Sequence, residues 1–130
     1  MPYLGGFEQR PEYNIYAEGA CSSCQGLLAF TMEKLKALGE YEKNAGISIL
    51  LGRTKDLPQG VESKDLILMG DCVKKYRDQG LFVEGCPPGE PLPLWAITDR
   101  RLDLVGNWRE RMAAETPIFL DYLTRKKHQR

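Results

Sequence analysis

Four short apolar runs, each closed by a glycine, restrict the possible folds of this chain more than any other feature. They are Asn14 to Gly19, Ile47 to Gly52, Asp65 to Gly70 and Gly80 to Gly85. Runs of this length, carrying aliphatic and β-branched residues, read as strands, and a closing Gly lets the backbone turn sharply at the exit. Ordinary loop chemistry accounts for the glycines equally well. Between the first two runs, Gln25 to Leu38 carries Leu27, Leu28, Phe30, Leu35 and Leu38 at roughly helical spacing, and Gly39 stops it. Asp56 to Gly60 is turn chemistry, and Cys72 to Gln79 is long enough for about two helical turns. Pro91 to Leu102 reads as a helix with Leu94, Trp95, Ile97 and Leu102 toward the core, and Asn107 to Ala114 as a further helical segment. Thr116 before Pro117 predicts an N-cap and first helical residue, with the last helix running to Lys127 and packing Ile118, Phe119, Tyr122 and Leu123.

Strands interleaved with helices predict an α/β domain in three layers, with a mostly parallel sheet, helices on both faces and a flavodoxin-like or Rossmann-like arrangement. Residues 1–12 mix Gly, Pro and charge and read as an irregular lead-in or a linker from an upstream domain, leaving 13–130 as one domain. Lys plus Arg and Asp plus Glu both total 18, which removes the long-range field that nucleic acid or anionic membrane binding requires. No basic-then-apolar start is seen and no apolar run approaches ~18 residues, so neither a signal peptide nor a membrane span is expected. The expected location is the cytoplasm.

In that reducing compartment the four cysteines favour metal ligands or redox thiols over structural disulfides. Cys21 and Cys24 form a Cys-x-x-Cys where the first strand gives way to the first helix, so helix N–H groups and dipole can stabilise thiolates there. Cys72 follows the third strand and Cys86 the fourth. If these strands are parallel, all four sulfurs lie on one edge, where ligands bind in such sheets. Convergence requires the third strand to lie near both the first and the fourth. Three chemistries then compete. A [4Fe-4S] cluster takes one sulfur per iron from separate loops, which suits a pattern with 47 residues between Cys24 and Cys72 and 13 between Cys72 and Cys86. A structural zinc would also take four thiolates, though its sites more often use two tight knuckles. A dithiol enzyme would use Cys21 as nucleophile and Cys24 as resolving thiol, leaving Cys72 and Cys86 unexplained.

Taken together, Cys21-x-x-Cys24, Gly70-x-Cys72 and Gly85-Cys86-Pro87-Pro88 resemble the ligand pattern of the small subunit of nickel-iron hydrogenases and of the cluster-bearing subunit of respiratory complex I. The resemblance spans residues 14 to 100 in layout, with the cysteine motifs as its specific part. It implies a [4Fe-4S] cluster held by Cys21, Cys24, Cys72 and Cys86 on a flavodoxin-like domain. The chain is also similar to the C-terminal module of an uncharacterised prokaryotic family in which this cysteine set follows a larger domain. That likeness implies a redox module whose partner is another protein or an upstream domain. The interval between Cys24 and Cys72 is shorter than in hydrogenase small subunits, and no cysteines remain for further clusters.

Flanking residues carry two readings each. Lys74, Lys75 and Arg77 offset an anionic cluster or form a solvated helix face, and Arg53 binds an anion at the same edge or is plain surface. Ser22 and Ser23 donate hydrogen bonds to cluster sulfur or cap the helix. His128 sits in a basic tail with Arg125, Lys126, Lys127 and Arg130 and reads as solvated, while Trp95 and Trp108 read as core anchors. No Ser-His-Asp set, paired carboxylates or phosphate-binding glycine loop is present, so a stand-alone hydrolase or nucleotide enzyme has no support. Oxygen strips such clusters, so a purified sample is expected to be found empty if handled in air.

Overall fold

The computed structural model describes residues 13–53, 56–89, 92–100 and 108–128, without the side chains of Trp108 and His128. The expectations for the lead-in 1–12, for Pro91, Leu102, Asn107 and Arg130, and for the Trp108 and His128 side chains lie outside the described residues. Among the described residues there are four strands: β1 (Asn14–Tyr16), β2 (Ser48–Leu51), β3 (Leu66–Met69) and β4 (Leu81–Val83). Three α-helices accompany them: α1 (Ser22–Ala37), α2 (Leu92–Asp99) and α3 (Trp108–His128).

All strand pairs are parallel, and the sheet runs in the order β1-β2-β3-β4. Ile15 pairs with Ile49, Ile49 with Ile67, and Ile67 with Leu81, so one register carries across the sheet. The predicted α/β class with a parallel sheet is present. The order is sequential, though, and lacks the reversal that gives doubly wound sheets their switch point. β3 is beside β4 but separated from β1 by β2.

β2 and β3 are buried along their whole length, as befits central parallel strands covered on both faces. Successive side chains alternate between two cores. Ile49, Leu51, Ile67 and Met69 join Leu28, Met32 and Leu35 of α1 and Leu94, Trp95 and Ile97 of α2 in the larger one. Leu50, Leu66 and Leu68 face the other way, against Val73, Tyr76, Leu57, Val61 and Phe82. The second face is therefore covered by a 3₁₀ segment, Asp71–Tyr76, and the 57–61 loop. The two helical turns expected over Cys72 to Gln79 take the form of this 3₁₀ segment, which ends at Tyr76 and is kinked. Non-helical backbone at Val73 (φ −107°, ψ 17°) breaks the turn and lets its side chain drop into the smaller core.

The expected break at Thr116 is also absent, because α3 runs through Pro117 without interruption. Thr116 does not cap a new helix; its Oγ1 donates to the Met112 carbonyl one turn back at 2.8 Å. α3 rests on the domain through Phe119, which meets Phe30 of α1 edge-on at 5.0 Å between ring centroids. The buried Lys34 ammonium lies 5.4 Å from the Phe30 ring and 5.8 Å from that of Phe119. At the helix's start Arg111 stacks 4.6 Å over Trp95 and pairs with Asp99 and Glu115. Ile118 and Leu123, predicted to pack, are exposed.

Candidate metal centre

Because the strands are parallel, their carboxyl ends share one edge, and the three cysteine-bearing loops leave from it. The first loop follows β1. Glu18 accepts the Arg53 N–H on its carbonyl at 2.6 Å, and a side chain at Gly52 would sit 2.6 Å from the Ala20 nitrogen. Only glycine allows this approach, which presses the start of α1 against the exit of β2. Gln25 closes the same loop by donating from its side-chain amide to the Ala20 carbonyl at 2.7 Å.

Cys21 then occupies the N-cap of α1 in extended conformation (φ −78°, ψ 166°), and its carbonyl accepts the Gln25 N–H at 3.0 Å. Its sulfur makes no full capping hydrogen bond, yet the N–H groups of Cys24 and then Ser23 hold its pKa below the ordinary thiol value. It is exposed, as are Ser22 and Ser23. Three residues on, Cys24 points inward and is only 6 % exposed. Burial, followed by repulsion from the Cys21 charge, pushes its thiol up to about 11, and Cys72 and Cys86 each add to the rise. One buried sulfur thus feels the other three.

The second and third loops meet at Cys24. A Cβ on Gly70 would lie 3.4 Å from the Cys24 sulfur, 3.6 Å from the Gly85 carbonyl oxygen and 3.8 Å from Pro88 Cδ. Gly70 precedes the Cys72 turn and Gly85 the Cys86 loop, so all three cysteine segments touch at this point. Pro88 is buried, the Cys86-Pro87 peptide is cis, and Gly85 and Pro88 form a small antiparallel bridge around exposed Cys86. Cys72 is exposed at the head of the 3₁₀ segment.

No protein-family model, curated protein or solved structure matches this chain. Its chemistry must therefore be read from the residues themselves.

The four cysteines are free thiols, brought to one edge from three loops. Among the described residues, no three His, Cys, Asp or Glu side chains are gathered as ligands of one metal ion. The donor set is all sulfur, which matches soft metals and iron-sulfur clusters. Lys74 and Lys75 are exposed beside Cys72, with the Lys75 ammonium 5.1 Å from the Tyr76 ring, and Arg53 is exposed beside Gly19. Asp71 directly precedes Cys72 in the sequence. Its carboxylate in fact accepts the Gly85 N–H at 2.8 Å, a contact 14 residues away that no local motif announces. Among the described residues no helix is long and apolar enough to cross a membrane.

Proposed function

We propose that Cys21, Cys24, Cys72 and Cys86 hold a [4Fe-4S] cluster and that the domain serves in electron transfer as a module of a larger protein or complex. The observation that carries this reading is the meeting of the three cysteine-bearing loops at the buried Cys24 sulfur, where a Cβ on Gly70 would lie 3.4 Å from that sulfur and 3.6 Å from the Gly85 carbonyl oxygen. The motif resemblance to hydrogenase small subunits supports it. Such a cluster, when bound, accepts and releases one electron at a time. A four-iron cube takes one sulfur per iron, so its ligands stand farther apart than the ~2.3 Å metal-to-sulfur distances of a single zinc require.

The chain's own residues would do three things for that group. Cys24 would supply a ligand from the protein side, shielded from water, while exposed Cys21, Cys72 and Cys86 leave an outward face for a redox partner. The amides at the start of α1 would stabilise thiolate at Cys21. Lys74, Lys75 and Arg53 would place positive charge around an anionic centre.

The test is iron and acid-labile sulfide content with visible and electron paramagnetic resonance spectra after reconstitution without oxygen. The expected result is about four of each per chain, with Cys72→Ser and Cys86→Ser lowering iron about as much as Cys21→Ser. Iron content indifferent to all four changes would refute the proposal.

A second reading is favoured by one observation: Cys21 is exposed with a lowered pKa while Cys24 is buried with a raised one. That split suits dithiol exchange. The Cys21 thiolate attacks a substrate disulfide and forms a mixed disulfide, expelling one substrate thiolate. Cys24 then loses its proton and attacks Cys21, giving the Cys21–Cys24 disulfide and releasing the second substrate thiolate. This activity would survive Cys72→Ser and Cys86→Ser.

A further inference from the structure

The meeting of the Cys72 and Cys86 loops depends on more than strand pairing. β3 and β4 run in parallel with Met69 opposite Val83, and the ladder continues one step further where the Gly70 N–H donates to the Val83 carbonyl at 2.8 Å. In a regular parallel ladder the Gly70 carbonyl would next accept the Gly85 N–H. It does not, because Gly70 (φ 94°, ψ 160°) turns the chain away and its carbonyl accepts the Val73 N–H at 3.2 Å instead. The Asp71 side chain fills the vacated role. The Gly85 N–H donates to Asp71 Oδ1 at 2.8 Å, and the Asp71 N–H donates to the Gly85 carbonyl at 2.9 Å.

This reciprocal pair joins the residue directly before Cys72 to the residue directly before Cys86. We infer that Asp71 is the positioning residue that holds Cys72 beside Cys86. Its side chain is exposed, where a neutral hydrogen bond competes poorly with water, and a carboxylate acceptor is roughly twice as strong. The partner loop has little freedom to meet it otherwise. Gly85 (φ 130°) has room for no side chain, since a Cβ there would lie 2.5 Å from Pro88 Cα. The purpose of the pairing, two adjacent cluster ligands, rests on the cluster reading, whereas the pairing itself does not.

The experiment uses the full chain without metal, carrying Cys21→Ser and Cys24→Ser so that only Cys72 and Cys86 remain. Reaction with dibromobimane, which fluoresces when it bridges two neighbouring thiols, reports their proximity, and mass spectrometry confirms an intrachain bridge. Asp71→Asn keeps an oxygen acceptor without its charge and should bridge at a rate between those of the parent and of Asp71→Ala, which should slow bridging about tenfold, as loss of a charged hydrogen bond implies. Bridging by Asp71→Ala as fast as the parent would overturn the assignment, as would an Asn variant as slow as the Ala one. Amide exchange at Gly85 in the four-cysteine protein gives a second readout that does not need the Ala variant to fold. The amide should be protected in the wild type and in Asp71→Asn, and exchange at the rate of a free amide in the wild type would equally overturn the role. A protein that bridges as expected but takes up no iron would refute the cluster and leave the positioning role of Asp71 standing.

Discussion

Cys24 and Gly70 show how tightly the site is specified at the residue scale. Gly70 has φ 94° and ψ 160°, a region essentially reserved for glycine, and its α-carbon faces the Cys24 sulfur. Gly70→Ala should therefore cost about 1–3 kcal/mol in stability, measured by urea denaturation, and should also reduce iron uptake because relief of the backbone strain would move the Cys72 turn away from Cys24. Retention of full stability would contradict the backbone geometry. The paired cysteines make a second prediction. At neutral pH a limiting amount of iodoacetamide should label Cys21 well before Cys24, since the first is exposed with a lowered pKa and the second is buried with a pKa of about 11. Peptide mapping checks the order, and equal labelling would remove the basis for treating the two thiols as different.

At the scale of elements, α3 is the clearest departure from sequence expectation. Thr116-Pro117 has the form of a helix start, yet the helix continues through it. A proline in mid-helix withholds one backbone donor and crowds the preceding turn, so α3 persists through contacts elsewhere. Phe119 against Phe30, Lys126 against Glu33 and Arg111 against Trp95 and Asp99 hold it on both sides of the proline. Pro117 is exposed, so Pro117→Ala should remove the defect without disturbing a core and stabilise the protein by about 1–3 kcal/mol, visible as a higher thermal midpoint. A lower midpoint would mean that the proline shapes the helix for packing. α1 behaves oppositely. Of its apolar residues at helical spacing, Leu28 and Leu35 are fully buried against the sheet, while Phe30 is exposed on the flank that meets Phe119. Leu28→Ala should cost about 2–5 kcal/mol, the range for emptying a core leucine site, and a cost under 1 kcal/mol in denaturant titration would contradict that packing.

For the molecule as a whole, the Cys24 thiol links the site to stability. Its folded pKa, about 11, lies above that of an unfolded thiol, ~8.5. A raised folded pKa means that the native state keeps the proton while the unfolded state gives it up. The contribution is thus fully present below the unfolded value and is lost as pH rises from there through about 11. Metal-free protein should lose stability across this alkaline range, and Cys24→Ala should flatten the loss. Guanidinium titrations from pH 8 to 11 on both proteins measure it; parallel slopes would show that Cys24 is not the group responsible.

Much of this design is legible in the chain itself. Short aliphatic-rich runs had to form buried strands, and runs separated by a helical stretch had to form an α/β sheet, because local period and length decide both. The glycines at strand exits and the cysteines after them are likewise fixed by position, so the carboxyl edge as the place to look followed from parallel strands alone. Other properties depend on neighbours remote in sequence. The sequential strand order is set by how the strands stack side by side, and the 3₁₀ cover over the second face by where Val73 finds its core. The continuity of α3 depends on rings and charges contributed by α1 and α2. The same holds at the site: a thiol becomes buried and coupled to three others, and Asp71 becomes a tie between loops, only when β3 and β4 bring Gly70 and Gly85 together. Hydrogen bonds and desolvation act through space, and no spacing along the chain encodes them.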